Sequence, residues 1–253
     1  MCGDEQSRSF RDDGWFEPTV SEMTTQRNVP SISIICPVRN EAPLIPALIE
    51  ALSLAHAAGA EIVVVDDAST DGTGALLDAA GFINVVHQRR SNGFGAAVKA
   101  GMGAATGDIV AWMPGNMRVR PMDTLRIART IAAVSQGRSL FAKASRTGRP
   151  FSERASRFIA GLTLSIWSRR DLMDTGATPT VVPRSALKHL VNGPDDITFE
   201  CYTLWKLPQS GFEVIRPEVP YVNRPAGTSH WNTGARARFK LFVKLLRSVR
   251  TFR

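Results

Sequence analysis

Apolar residues in this chain fall into short dense runs separated by longer stretches of helical spacing. Ile32, Ile34 and Ile35 make the first run and Ile62 to Val65 the second. Neither alternates cleanly, as expected of parallel strands covered on both faces. Between them Leu44, Leu48, Leu52 and Ala55 recur at helical spacing. Continued along the chain, the pattern predicts strand 31–36, helix 43–57, strand 61–66, helix 72–80, strand 83–87, helix 94–105, strand 108–113, helix 122–136 and strand 139–144. The second half is less regular, with helix 151–169, a short strand at Val181-Val182, helix 199–207 and strand 212–222. The alternation predicts a single-domain α/β fold over residues 30–233, with an open, mostly parallel sheet and helices on both faces.

The two ends read differently. Residues 1–29 are polar, acid-rich and without periodicity, which predicts a disordered or loosely held tail. Over 234–253, Phe239, Leu241, Phe242, Val243, Leu245, Leu246 and Val249 cover one broad helical face, with Lys240, Lys244 and Arg247 opposite. A basic amphipathic helix of this kind can lie on an anionic membrane or pack on the domain's own core.

A βαβ unit puts the ends of both strands on one sheet edge, where open α/β folds bind ligands. Asp66 and Asp67 fall there, after the second strand. Gly93-Phe94-Gly95 lacks the third glycine of a dinucleotide fingerprint and follows the third strand instead of the first. Its glycines are expected to let the backbone approach a ligand closely at a helix start.

Four motifs in order resemble glycosyltransferase family 2, the inverting nucleotide-sugar transferases. They are Pro37-Val38-Arg39-Asn40-Glu41, Asp66 to Thr73, the run Asn92 to Ala97 with Gly101 and Ala105-Thr106-Gly107-Asp108, and Arg224-Pro225-Ala226-Gly227-Thr228-Ser229. The subfamily they are most similar to is the dolichol- and polyprenyl-phosphate sugar transferases. The resemblance implies a nucleotide-diphospho-sugar transferase fold, with Pro37, Arg39, Glu41, Asp66, Asp67, Gly93 and Gly95 around the nucleotide. It also implies Arg146, Arg154 and Arg224 on an acceptor phosphate, and Asp174 or Glu200 as the acid that orients the acceptor or takes its proton. A phosphate acceptor is already anionic and needs no base, whereas a hydroxyl acceptor does.

The chain departs from the family after the fourth strand. Relatives usually carry an Asp-x-Asp there, whose carboxylates hold Mg²⁺ or Mn²⁺ on the donor diphosphate. The matching positions here are Pro114 and Asn116. Asn116 offers one neutral oxygen and Pro114 no side-chain ligand, a poor set for a hard cation. Arg118 and Arg120 follow directly and could supply positive charge instead. The implied function is transfer of a sugar from a UDP- or GDP-sugar to a polyprenyl phosphate or lipid-linked glycan. The alternative is a degenerate transferase fold that binds nucleotide or an envelope component without turnover.

Composition narrows the picture further. The net charge is +8, yet Gly234 to Arg253 alone holds seven Lys or Arg and no acid. The basic character therefore belongs mostly to one segment and does not indicate a nucleic-acid-binding fold. Cys2, Cys36 and Cys201 are widely spaced, which fits buried or incidental thiols better than a disulfide framework or metal site. No apolar run approaches the length of a membrane span and residues 1–20 do not read as a secretory signal. The expected location is the cytoplasm, peripheral to the inner face of the cell membrane.

Overall fold

The computed structural model describes residues 29–135, 137–148, 151–220, 222 and 235–252, without the side chains of 151–154, 156 and 235–238. The expected tail at 1–29 lies almost wholly outside these residues.

The chain runs β1 (Ile32–Val38), α1 (Ile45–Ala57), β2 (Ala60–Asp66), α2 (Thr73–Asp78), β3 (Asn84–His87), α3 (Phe94–Ala104), β4 (Ile109–Trp112), α4 (Pro121–Ser135), β5 (Leu140–Lys143) and β6 (Ser145–Thr147). It continues with α5 (Phe151–Ser168), β7 (Thr180–Pro183), α6 (Phe199–Gln209), β8 (Glu213–Ile215), β9 (Glu218–Pro220) and α7 (Ala235–Thr251). The main sheet has the order β3-β2-β1-β4-β7-β5-β8, and β6 pairs with β9 in a second small sheet. All pairings in the main sheet are parallel except those that β7 makes with β4 and β5.

The apolar runs are buried on both faces, as their lack of alternation predicts. Ile32, Ile34, Cys36 and Val38 of β1 point into one cluster with Leu48 and Leu52 of α1 and Leu125 and Ile131 of α4. Ile35 points the other way, into a cluster with Val63, Val65, Ala97 and Val98 and with residues of α6. Gly101 lets α3 lie directly on the sheet, since a Cβ there would meet Ile35 Cγ2 at 2.3 Å.

Two expectations in the second half need correction. Residues 212–222 form two strands in separate sheets, β8 beside β5 and β9 beside β6. Arg216-Pro217 separates them, and Pro217 has no N–H to carry a ladder across the break. The short strand β6 was not predicted, because Ser-Arg-Thr carries no apolar pattern.

The amphipathic face of α7 is turned inward. Phe242, Leu245 and Leu246 pack on the α6 side of the core, and Val249 and Phe252 are buried there. Phe252 meets the rings of Tyr202 at 5.2 Å and Trp205 at 5.7 Å. Lys244 Nζ ties the helix to Asp196 Oδ2 at 2.6 Å. Among the described residues no helix is long and apolar enough to cross a membrane.

Candidate active site

The strand order reverses between β1 and β4, so the crevice of this fold opens at the carboxyl ends of those two strands. Three loops meet there. The backbone amide of Asp67 donates to Val38 O at 3.0 Å, and on the other side of β1 Gly115 N donates to Pro37 O at 3.1 Å. Pro37 to Glu41, Asp66 to Thr73 and Pro114 to Arg120 thus border one edge. Gly115 is required for this approach, because a Cβ would meet Val38 Cγ1 at 2.3 Å.

The first two loops are stitched together by short polar side chains. Asn40 N donates to Ser69 Oγ at 2.9 Å, and Thr70 N donates to Asn40 Oδ1 at 2.8 Å. Glu41 N donates to Thr73 Oγ1 at 3.0 Å, and Ala42 N to Asp71 Oδ2 at 3.0 Å. Asp71 also accepts from Thr73 N at 3.1 Å, the local turn that Asp favours. Partial burial disfavours the Asp71 carboxylate, but hydrogen bonds from Thr73 and the Ala42 amide outweigh it and hold its pKa below the ordinary value. Asn40, Ser69, Asp71 and Thr73 are therefore framework residues that the motif reading passed over. The Asx-turn pattern around Asp71 was the signal for them.

The paired acids have separate tasks. Asp66 accepts from Ser69 N at 3.0 Å and sits 3.3 Å from His87 Nδ1. Asp67 accepts from Ser91 Oγ at 2.7 Å and Asn92 N at 3.2 Å, and Arg39 Nη1 donates to the same Ser91 hydroxyl at 2.7 Å. Arg39, Ser91 and Asp67 form one chain of hydrogen bonds across the mouth of the crevice. Glu41 lies beneath, only 9% exposed.

His87 also reaches Asp78 Oδ1 at 2.9 Å through Nε2. The Asp78 bond, assisted by Asp66 and opposed by partial burial, raises the imidazole pKa above its ordinary 6.5. A raised folded-state pKa stabilises fully below the unfolded value, and this contribution is lost as pH rises through the folded value. Between about pH 6 and about pH 8 the thermal midpoint should therefore fall further for the native protein than for His87→Gln. Equal slopes in a melting series would remove His87 from this role.

Gly93 and Gly95 are placed differently from the expectation. Gly93 has φ +104°, and a Cβ on Gly95 would meet Pro194 O at 2.2 Å and Phe199 Cβ at 2.8 Å. Ala96 N donates to Asp195 O at 2.9 Å. The space that glycine opens is filled by the chain's own 194–195 backbone. Arg184 likewise serves the framework, donating to Gly107 O and Ala105 O, each at 2.8 Å, at the opposite edge of the sheet.

Past β4, Asn116 Oδ1 accepts from Arg118 N at 3.3 Å. Met117 holds φ 58°, which turns the loop back. Arg118 Nε is buried without a hydrogen-bond partner, and Arg120 is exposed.

Below this loop lies a buried polar cluster. Glu200 Oε1 accepts from Trp112 Nε1 at 2.9 Å, while Oε2 accepts from Thr180 Oγ1 at 3.1 Å and pairs with Lys143 Nζ. Lys143 Nζ also donates to Thr180 Oγ1 at 3.1 Å. Glu200 is 3% exposed and Lys143 fully buried. Burial lowers the Lys143 pKa, with the Glu200 carboxylate opposing it. The cluster joins the ends of β4, β5, β7 and α6, and nothing local in the sequence announces it. The two buried thiols are inert, since burial pushes Cys36 and Cys201 each up to about 12.

Arg146 and Asp174 lie further along the same edge. Arg146, just past β5, donates to Thr178 Oγ1 and to Thr178 O. Asp174 Oδ1 is 3.4 Å from Arg157 Nη1 of α5. Three strand spacings separate β1 from β5, about 14 Å, enough for a sugar diphosphate to bridge the two groups. The Arg154 side chain and all of Arg224 lie outside the described residues.

Residues 33–157 match the profile of Glycosyl transferase family 2. Among curated proteins, an undecaprenyl-phosphate 4-deoxy-4-formamido-L-arabinose transferase from Sodalis glossinidius (strain morsitans) is 32% identical over 152 residues, covering 55% of this chain and 45% of that protein. A protein of the same description from Yersinia enterocolitica serotype O:8 / biotype 1B is 30% identical over 147 residues, covering 54% of this chain and 44% of its own length. The chain thus spans less than half the length of these curated relatives. Among solved structures, glucosyl-3-phosphoglycerate synthase from Mycobacterium tuberculosis, in complex with Mn²⁺, UDP and glucosyl-3-phosphoglycerate, superposes with a TM-score of 0.64 at 20% identity, over 96% of this chain and 85% of that one. A mannosyltransferase from Pyrobaculum calidifontis, in complex with GDP-Man and Mn²⁺, gives a TM-score of 0.64 at 20% identity, over 87% of this chain and 64% of that one. The identities to the solved structures are low enough to carry the fold alone, and they agree on it. The Pro37–Glu41 and Asp66–Thr73 motifs lie on the crevice edge within the matched stretch, and residues 33–157 belong to glycosyltransferase family 2.

Proposed function

We propose that this protein is an inverting glycosyltransferase that moves a sugar from a UDP- or GDP-sugar to a polyprenyl phosphate or lipid-linked glycan at the inner membrane face. The observation that carries the reading is the convergence of the Pro37–Glu41, Asp66–Thr73 and Pro114–Arg120 loops at the β1/β4 crevice. The undecaprenyl-phosphate transferases among its relatives support the acceptor class. Asp67 and Arg39 hold the base and ribose, with Asp66 and Glu41 fixing the loops that present them.

In a single displacement, an acceptor oxygen forms a bond to the anomeric carbon as the bond to the nucleotide diphosphate breaks. Catalysis then rests on in-line placement and on stabilising the charge that gathers on the leaving diphosphate. Arg146, together with Arg154 and Arg224, grips the acceptor phosphate. Glu200 has both oxygens committed to Trp112, Thr180 and Lys143. Asp174, paired with Arg157 on the open edge, is the better placed acid for orienting an acceptor.

The two solved structures of the same fold hold Mn²⁺ with UDP or GDP-Man. The residues at the end of β4 do not fit that ion. Pro114 brings no ligand, the Asn116 oxygen is neutral and already bonded to Arg118 N, and the described residues contain no group of three or more His, Cys, Asp or Glu placed to hold a metal. Arg118 and Arg120 neutralise the diphosphate instead, as guanidinium groups match phosphate geometry. Arg118→Ala should reduce turnover about 10- to 100-fold, and EDTA should change it less than about threefold. Complete loss in EDTA with recovery on adding Mn²⁺ would assign the charge to an ion held by other residues.

Titration with UDP- and GDP-sugars in a calorimeter tests the donor site. Binding of one of them without added metal is expected, and no heat from either overturns the reading. Pro114 and Asn116 also favour a rival, a protein that binds nucleotide without turnover; binding with no transfer to any lipid phosphate would support it.

A further inference from the structure

The sequence left α7 open to a membrane surface or to the core, and the structure packs the apolar face of that helix on the core. The unpartnered apolar face belongs to its neighbour α5. Phe158, Ile159, Leu162, Ile166 and Trp167 lie along one side of α5 with exposures from 44% to 71%, and Phe239 of α7 is 68% exposed. Phe158, Leu162 and Ile166 repeat every four residues and so share one stripe. The hydroxyl of Thr163 donates back to Ile159 O at 2.8 Å and that of Ser165 to Gly161 O at 2.8 Å, so neither asks for water. A contiguous apolar stripe of this size on a soluble surface marks an interaction site.

Its rim is cationic. Arg169 and Arg170 are exposed at the end of α5, and Lys240 and Arg247 are exposed on α7. Arg250 of α7 lies over the Trp167 ring at 4.4 Å. Residues 155–170 and all of α7 contain no acid. Among the described residues, the carboxylates beside these helices are paired with cations, Asp171 with Arg216 at 3.2 Å, Asp174 with Arg157 at 3.4 Å and Asp196 with Lys244 at 2.6 Å. Two copies meeting through this face in a self-complementary dimer would bring these cations towards each other. An anionic bilayer instead accepts both the apolar stripe and the basic rim.

We infer that α5 lies in the surface of an anionic membrane, with α7 acting as a strut that supports it and carries part of the basic rim. The inference rests on the proposed lipid acceptor, since Arg157 on the same helix borders the acceptor edge. A phosphate held there would have its lipid tail beside the stripe.

The full chain and the double variant Ile159→Ser/Ile166→Ser are compared by sedimentation with phosphatidylcholine vesicles, with and without phosphatidylglycerol. Both side chains are exposed, so the variant should melt as the native protein does. The native chain should bind vesicles containing phosphatidylglycerol, less at high salt, and the double variant should bind about tenfold more weakly or worse. Lys240→Gln/Arg247→Gln should weaken binding to the anionic vesicles alone. Transfer to a water-soluble short-chain polyprenyl phosphate should be unchanged in the Ile variant, and transfer to a vesicle-borne acceptor should fall. Equal binding by native and Ile-variant chains overturns the docking face even if transfer is seen. So does a native chain that ignores anionic vesicles, as it would if its acid-rich segment 1–28 or a second copy covered the stripe. Stripe-dependent binding with no transfer to either acceptor upholds the face and removes the transferase reading.

Discussion

Asp67→Ala should weaken nucleotide diphosphate binding by about 10- to 100-fold, the effect of losing a hydrogen bond to a charged group. The Asp67 carboxylate is at the mouth of the crevice, linked through Ser91 to Arg39. Two of its lone pairs are taken by Ser91 and Asn92, which leaves the others for a ribose hydroxyl or a base N–H. Asp66 next to it is bound up with Ser69 and His87. Asp66→Ala should therefore lower the melting temperature more than Asp67→Ala does, with its effect on affinity following from loosened loops. Calorimetry and melting of the two variants separate the roles. Unchanged affinity in Asp67→Ala would move the nucleotide to another part of the edge.

Glu200→Ala should destabilise the fold by about 3–5 kcal/mol, because it strands the Lys143 ammonium in the core and unpairs Trp112 Nε1. Burial already lowers the Lys143 pKa from its ordinary 10.5, so the amine can shed its proton once the carboxylate is gone. A base with a depressed folded-state pKa destabilises below that pKa, so the loss should shrink as pH rises. Lys143→Met/Glu200→Leu should recover most of the stability, since a buried pair replaced by apolar groups of similar size is often neutral. Urea denaturation of the singles and the double gives the coupling directly. If Glu200→Ala melts like the native protein but turns over far more slowly, Glu200 is a chemical participant and the framework role falls.

The elements legible in the sequence are those whose pattern is set by what covers them. The runs at β1 and β2 read as strands because both faces are buried, and α1, α3 and α4 read as helices because one face is. The breaks were harder. Ser145 to Thr147 carries no apolar period, and its strand exists only because β9 comes to lie beside it. Phe212 to Val222 looks continuous until Pro217 is weighed as a missing donor. The site followed the same rule. Asp66 and Asp67 were placed by the strand that precedes them, and Asn116 and Arg118 by theirs. Gly93 and Gly95 were assigned to a ligand because the 193–196 loop that fills their space lies about a hundred residues away in sequence. Glu200 read as a helix-start acid, while the partners that define it come from β4, β5 and β7. The broad apolar face of α7 was correctly seen, but the residues it packs on could not be read from its own sequence.

The central claim is sugar transfer at the β1/β4 crevice. Its most direct test is incubation of the purified chain with UDP- and GDP-sugars and a polyprenyl phosphate, followed by mass spectrometry of the lipid fraction. The account predicts one glycosylated polyprenyl phosphate with release of the nucleoside diphosphate, lost in Arg146→Ala and strongly reduced in Asp67→Ala. Nucleotide that binds yet yields no glycosylated lipid, with or without Mn²⁺, would contradict it.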